Sequence, residues 1–156
     1  MPDTQKILKV LRDEQTLQSR HCKLLETQQR ALLACDRKRF HDTQNEHAHL
    51  MAQLEAQMEA RQAVMRGDDG EPCLLSTIVA EMPERSRRQI LNVRDTLRLT
   101  LNRIQELSRQ NERLINNELE YIAFTLDLFV EAGRKADILY GGRSLNGCRL
   151  LLDRLA

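Results

Sequence analysis

Apolar residues recur at intervals of three and four along the N-terminal part of the chain, with charged and amide side chains between them. This spacing is typical of an amphipathic helix and predicts a first helix over residues 3–34. Polar residues then dominate from Asp36 to His49. Because Asp36 suits the N-cap position, the pattern predicts a short turn and then a second helix over residues 37–66. One bent continuous helix is the other interpretation of this stretch.

Glycine and proline divide the rest of the chain. The segment Arg66-Gly67-Asp68-Asp69-Gly70 ends the second helical pattern, and a short helix is predicted over residues 74–82. A long helix follows over residues 84–132, a range without glycine or proline. At about 1.5 Å per residue this helix would extend about 70 Å, so it must pair lengthwise with the first two. Gly133 is expected to cap it.

The pattern therefore predicts an all-α fold, an elongated antiparallel bundle of three long helices with coiled-coil-like packing. The short helix connects the second and third long helices. Residues 1–133 would form the bundle, and residues 134–156 a partly flexible C-terminal tail that contains Tyr140-Gly141-Gly142. The apolar stretch from Cys148 to Leu155 is expected to become helical only on a partner or in a groove.

Composition agrees with helix packing and argues against nucleic acid as a partner. Aromatic residues make up 3% of the chain and tryptophan is absent. Lys plus Arg (24) nearly balances Asp plus Glu (23), for a formal net charge of +1. A chain with so little net charge has no long-range attraction to phosphate backbones or anionic lipid. The densest basic clusters, Arg37-Lys38-Arg39 and Arg85 with Arg87-Arg88, are therefore interpreted as surface charge.

Cysteine usage and hydropathy point to the cytoplasm. Cys22, Cys35, Cys73 and Cys148 show no CxxC or CxxH spacing, so we expect reduced thiols rather than a disulfide framework or a zinc site. The N-terminus is charged and amphipathic, and no stretch approaches the roughly 20 apolar residues of a membrane span. The sequence predicts neither a signal peptide nor membrane insertion.

The sequence does not predict an enzyme, a cofactor or a metal site. It contains no GxSxG, GxGxxG, GxxxxGK or HExxH motif. His41, His47 and His49 lie close together, but on a helix His47 and His49 would be about 200° apart and could not share an ion. A solvated polar face is the simpler interpretation of these histidines.

The segment Ser108-Arg109-Gln110-Asn111-Glu112-Arg113 interrupts the apolar pattern of the long helix. One interpretation is a buried polar layer that fixes the register of the helices, as a single buried asparagine does in coiled coils. The other is that the helix leaves the bundle at this point.

Residues 114–130 are richer in apolar and aromatic side chains than any other segment, and these side chains surround the helix. Surface left uncovered here would suit helix-in-groove recognition of a partner. The alternative is that the short helix and the tail bury this surface. The candidate partner-binding residues are Leu114, Ile115, Leu119, Ile122, Leu126, Phe129 and Tyr140.

The sequence resembles the FlgN family of flagellar type III export chaperones over nearly its whole length. The resemblance rests on the order of short motifs rather than on any one of them. These motifs are Glu59-Ala60-Arg61, Met82-Pro83, Asn111-Glu112-Arg113-Leu114-Ile115, Leu119-Glu120-Tyr121, Leu126-Asp127-Leu128, Tyr140-Gly141-Gly142 and Gly147. The chain departs from the family where Gly141-Gly142-Arg143 follows Tyr140, so the resemblance does not assign Tyr140 to docking at the export gate.

The resemblance implies a helical chaperone without catalytic chemistry. Its implied partners are the hook-associated flagellar proteins of the hook-filament junction and the membrane protein of the export gate. A disordered amphipathic end of the substrate would fold as a helix on residues 114–130 and the tail, with Tyr140 as an exposed anchor. The alternative hypothesis is a structural coiled-coil protein that self-associates.

Overall fold

A computed structural model describes residues 4–66, 70–71 and 73–140, with side chains described through residue 136. These residues form α1 (Thr4–Leu33), α2 (Arg37–Val64), α3 (Leu75–Ala80) and α4 (Glu84–Tyr140), and none of them lies in a strand. The predicted all-α class is confirmed. The chain divides into two compact units, residues 1–114 and residues 115–156, and α4 contributes to both.

A tight turn joins α1 to α2. The amide of Asp36 donates to the carbonyl of Ala31 (2.9 Å) and the amide of Cys35 to that of Leu32 (3.1 Å), the hydrogen-bond pattern of a Schellman motif. Cys35 adopts a left-handed φ of 53° to make this turn. Asp36 then caps α2, because its side chain accepts from the amide of Arg39 at 3.0 Å. The predicted turn and cap are confirmed, and the single bent helix is wrong.

Contacts between side chains fix the helix directions in the first unit. Nε2 of His21 in α1 lies 3.0 Å from Nε2 of His47 in α2. The side-chain amide of Gln57 in α2 donates to the backbone carbonyl of Val10 in α1 at 2.8 Å. Residue numbers rise on α1 as they fall on α2, so these helices are antiparallel. Arg103 of α4 lies 3.6 Å from Glu26, and Gln29 donates to Gln110 at 2.8 Å. Here the numbers rise together, so α1 and the first half of α4 are parallel.

The core of the first unit has two clusters of buried apolar side chains. The larger one joins α1, α3 and the start of α4, and its buried members are Ile7, Leu8, Leu11, Ile78, Val79, Met82, Ile90 and Leu97. The smaller one consists of Leu25, Ile104 and Leu107. Within residues 4–114 the core lies on the apolar stripes that the sequence pattern identifies, and the up-down-up order of α1, α2 and α4 agrees with part of the predicted bundle.

Arg87 holds the short helix α3 against α4. Its guanidinium donates to the carbonyls of Val79 (3.2 Å), Ala80 (2.9 Å) and Met82 (3.4 Å). Val79 and Ala80 end α3 and Met82 follows it, where the regular helical hydrogen bonds stop, so one charged side chain supplies donors to several carbonyls at once. One residue of the predicted surface basic cluster is therefore structural.

The predicted end of the long helix at residue 132 is wrong. Helix α4 continues through Gly133 to Tyr140, and the positive φ that a capping glycine would show occurs at Gly70 but not at Gly133. A glycine inside a helix costs only about 1 kcal/mol relative to alanine, which does not end a long helix. Ion pairs from Glu131 to Arg134 (3.1 Å) and Lys135 (3.8 Å) also span the glycine. The division into a bundle and a flexible tail stays a prediction, since residues 141–156 lie outside the described part.

Candidate partner-binding surface

The second unit carries the candidate site on α4. Ile115 is half-buried, and four apolar side chains after it follow at intervals of three and four residues and are exposed. We call these four the major stripe: Leu119 (58% exposed), Ile122 (43%), Leu126 (47%) and Phe129 (71%). At about 100° per residue they share one face of the helix, within an arc of about 80°. The structure thus places most of the predicted site residues side by side.

Two predicted site residues stand apart from the major stripe. Leu114 is half-buried and is the last residue of the first unit. Tyr140 is the last residue of α4, and its side chain lies outside the described residues, so its role as an anchor stays a prediction. The short helix α3 directs its buried Ile78 and Val79 into the core around Ile7.

Helix α4 carries a second exposed apolar stripe. The sequence analysis described the apolar side chains of residues 114–130 as surrounding the helix and did not divide them into two faces. We call Tyr121, Phe124 and Leu128 the minor stripe, and all of them are more than half exposed. Their spacing of three and four places them on one face of α4, about 150° from the centre of the major stripe. The finer signal was available in the sequence, because the two sets have separate helical phases. Two apolar faces on one helix are more than a single partner helix covers.

The charge around these stripes is of one sign. Residues 115–133 contain Glu118, Glu120, Asp127 and Glu131 and no lysine or arginine. Glu131 pairs with Arg134 and Lys135, whereas the described residues offer the other three carboxylates no cationic partner. Glu120, Asp127 and Glu131 lie in a row between the two stripes at about 100° per residue. The surface therefore favours a partner that combines apolar and basic side chains.

Two residues of the polar segment of α4, Gln110 and Asn111, form a polar layer with α1 in the first unit. Asn111 is 3% exposed, and its Nδ2 donates to the carbonyl of Leu25 (3.0 Å) and to Oε1 of Gln28 (3.2 Å). Next to it, Gln29 donates to Gln110 at 2.8 Å. Asn111 Oδ1 has no hydrogen-bond partner. The interpretation as a buried polar layer is confirmed, and the interpretation that the helix leaves the bundle at Asn111 is wrong.

The histidines form a pair rather than a metal cluster. His21 and His47 face each other with Nε2 atoms 3.0 Å apart, while His41 and His49 are exposed. Burial, and secondarily the charge of His47, lowers the pKa of His21. Among the described residues no group of three or more His, Cys, Asp or Glu side chains could hold an ion. Sequence reasoning missed His21, because its partner comes from another helix.

The described structure defines an all-helical protein with exposed apolar and acidic surface on its longest helix. Comparison with known families identifies it further: the family model described as FlgN protein matches residues 1–145, and the chain belongs to the FlgN family. The resemblance found in the sequence is thus confirmed, and the family indicates a flagellar export chaperone. Neither the curated proteins nor the solved structures gave a significant match. Among the described residues, no helix combines the length and hydrophobicity that crossing a bilayer requires.

Proposed function

We propose that this chain is a cytoplasmic chaperone for hook-associated flagellar proteins, which it keeps from assembling early and brings to the membrane protein of the type III export gate. The observation that carries the proposal is the major stripe, a row of exposed apolar side chains on a helix of a FlgN-family protein. The proposal includes no catalysed reaction, no cofactor, and no nucleic acid partner. The near-neutral charge of the chain supports the last point.

The mechanism is coupled folding and binding. A disordered, amphipathic end of the substrate would fold as a helix with its apolar face on the major stripe. Each of the four side chains is already partly covered by α4, so completing its burial contributes roughly 1–2 kcal/mol. Ordering the substrate segment costs about 2–5 kcal/mol in return. This cost offsets part of the gain from burial, which suits a chaperone that must release its substrate at the gate.

Replacing Ile122 and Phe129 together by asparagine tests this proposal. We expect the double variant to lose at least about tenfold in affinity for purified hook-associated proteins, measured by titration calorimetry, because about 1.4 kcal/mol corresponds to tenfold. The matched control is Leu99→Asn, which makes the same kind of change at a side chain that is 71% exposed in the first unit. The control should bind as the parent chain does, and circular dichroism should show equal helicity in all variants. Unchanged binding by the double variant would reject the major stripe as the substrate site.

The tail's share in binding needs a separate variant. A chain truncated after Gly133 keeps the major stripe and lacks Tyr140. If the tail and Tyr140 contribute to substrate capture as proposed, this chain binds hook-associated proteins more weakly than the full chain but more strongly than the double variant. Equal binding by the truncated and full chains would confine the site to the stripe.

Self-association is the second candidate function, and the spacing of the major stripe favours it. Alternation of four and three residues is the a/d pattern of a coiled coil, so two copies of α4 could pair along this face. Sedimentation equilibrium of the parent chain and the Ile122 and Phe129 double variant distinguishes the two functions. If the major stripe serves substrate binding, the parent chain and the double variant sediment alike without substrate. If it serves self-association, the parent chain is an oligomer that the double variant converts to monomer.

A further inference from the structure

Helix α2 is attached to the first unit differently from the other long helices. Two of its 28 residues are buried, Thr43 and Leu50, whereas α1 buries eight of its 30. Among the described residues, the buried members of both core clusters come from α1, α3, α4 and Met82, and none of them belongs to α2. At the end of α2, Val64 and the next residue, Met65, pack against the larger cluster. The main part of α2 therefore lies outside both clusters.

The side of α2 that faces α1 is half polar. Most of the buried and half-buried residues of α2 recur at intervals of three and four, so they form one stripe along the helix. The stripe consists of Phe40, Thr43, His47, Leu50, Leu54, Gln57, Arg61 and Val64. Its polar members make the contacts that join α2 to α1, which are His47 with His21, Gln57 with Val10, and Arg61 with Glu14 at 2.8 Å. The interface thus depends largely on hydrogen bonds and one ion pair.

Such contacts stabilise the position of α2 less than buried apolar surface would. When α2 moves away, water hydrates the released polar groups, so the net contribution of each polar contact is small. Apolar side chains have no such replacement in water. The rest of the first unit keeps its own packing, because Leu25 of α1 contacts Ile104 and Leu107 of α4 directly and Asn111 donates to the carbonyl of Leu25.

We propose that α2 detaches and unfolds as a unit while α1, α3 and α4 remain packed, so that the first unit opens in two stages. Proteins open in cooperative segments, and segments with few buried apolar contacts open first. Most helical stability in proteins comes from packing, so α2 loses its helical hydrogen bonds when it detaches. Its 28 residues, once unfolded, easily span the roughly 40 Å between the two ends of the helix.

Opening changes what the first unit can bind. It uncovers the side of α1 that carries Val10, Glu14 and His21, on a helix that stays folded. Another amphipathic helix can then take the position of α2 on this side. The proposed substrate site is the major stripe on α4, so this inference goes beyond the proposed function and does not depend on it.

Amide hydrogen exchange of the full chain, measured residue by residue by NMR, tests the proposal. We expect the amides of residues 43–60 to exchange at least about tenfold faster than the most protected amides of α1 and of residues 90–111 in α4. Low concentrations of urea should accelerate residues 43–60 together, because opening as a unit exposes surface and local fraying does not. Rates that fall steadily from the ends of α2 to its middle without a dependence on urea would show fraying and overturn the proposal.

Two substitutions distinguish the opening of α2 from unfolding of the whole unit. Ile90 lies in the larger core cluster, so its contacts persist when α2 is detached. Ile90→Val should therefore accelerate exchange in α1 and α4 about fivefold and leave exchange in α2 unchanged. Leu50 is buried only while α2 is attached, so Leu50→Ala should accelerate exchange in α1, α2 and α4 at least about tenfold.

The response of α2 to Ile90→Val decides the outcome. Equal acceleration of α1 and α2 by this substitution would overturn the proposal, because α2 would then open only when the whole unit unfolds. Exchange in α2 that is as slow as in α1 before any substitution would overturn it as well.

Discussion

Asn111→Asp exchanges one amide group for a carboxylate of almost the same shape in the buried polar layer. The parent side chain donates from Nδ2 to the carbonyl of Leu25 and to Oε1 of Gln28. An ionised carboxylate has no hydrogen to donate, so both bonds are lost and oxygen faces oxygen at each. At 3% exposure, water has little access to replace them. The substitution therefore places an unpaired charge in the bundle with almost no change in volume.

The expected cost at pH 7 is about 3–5 kcal/mol. Losing two hydrogen bonds accounts for about 1–3 kcal/mol. Burial raises the pKa of a carboxyl, and each unit above the unfolded value of about 3.9 adds about 1.4 kcal/mol at neutral pH. Because the folded pKa of the introduced group is raised, its destabilisation is smallest near pH 4, grows as the pH rises through the folded pKa, and is constant above it. The protonated acid can also donate one of the lost bonds.

Urea denaturation followed by circular dichroism at pH 7 and pH 4 measures this cost. Asn102→Asp is the matched control, since Asn102 is an exposed residue of the same helix and the substitution makes the same change of charge. We expect the control to lose less than about 0.5 kcal/mol at both pH values. The reasoning is refuted if the two variants lose equal stability at pH 7, or if the loss at Asn111 does not diminish at pH 4.

Three further predictions concern the first unit. Cys35→Gly should raise the free energy of unfolding by about 0.5–1 kcal/mol, because Cys35 holds a left-handed φ that glycine adopts without strain, and Cys35→Ala should not raise it; urea midpoints measure both. Burial lowers the pKa of His21 below its ordinary value of 6.5, so protonating this side chain opposes folding and stability falls as the pH drops below 6.5. His21→Gln removes this group and should lessen the decline in melting temperature between pH 7.5 and 5.5. Ile90→Ala should cost about 2–5 kcal/mol in urea denaturation, since Ile90 is fully buried, whereas Leu99→Ala should cost under about 1 kcal/mol.

The sequence predicted the helices because periodicity and capping are local properties. Intervals of three and four residues, the cap at Asp36 and the breaks around Gly70 identify elements that the structure bounds within a few residues. Gly133 shows the limit of such reasoning. A glycine alone does not end a helix when the residues around it favour helical structure. Here the ion pairs of Glu131 with Arg134 and Lys135 span Gly133 and favour continuation of the helix.

The site was predicted less completely because it depends on which surfaces face each other. The sequence identified the major stripe by composition, but the separate face of Tyr121 and Phe124 became clear only with their exposure on α4. The pairing of His21 with His47 depends on the register of two helices, which no pattern within either helix contains. Likewise, Asn111 has the same local sequence whether it is buried or exposed, and only its contact with Gln28 distinguishes the two.

Gly133 also affects how α4 opens to solvent. An added Cβ at this position would meet nothing within 4 Å, so no packing holds the backbone there. Its helical conformation costs about 1 kcal/mol relative to alanine, and the free energy needed to open the helix locally falls by a similar amount. Amide hydrogens at Arg134 to Ala136 should therefore exchange with deuterium several times faster than in a Gly133→Ala chain. Helix α4 therefore opens more easily just after Gly133 than a chain with alanine there would. This local opening would let the backbone next to residues 114–130 change its conformation when a partner binds.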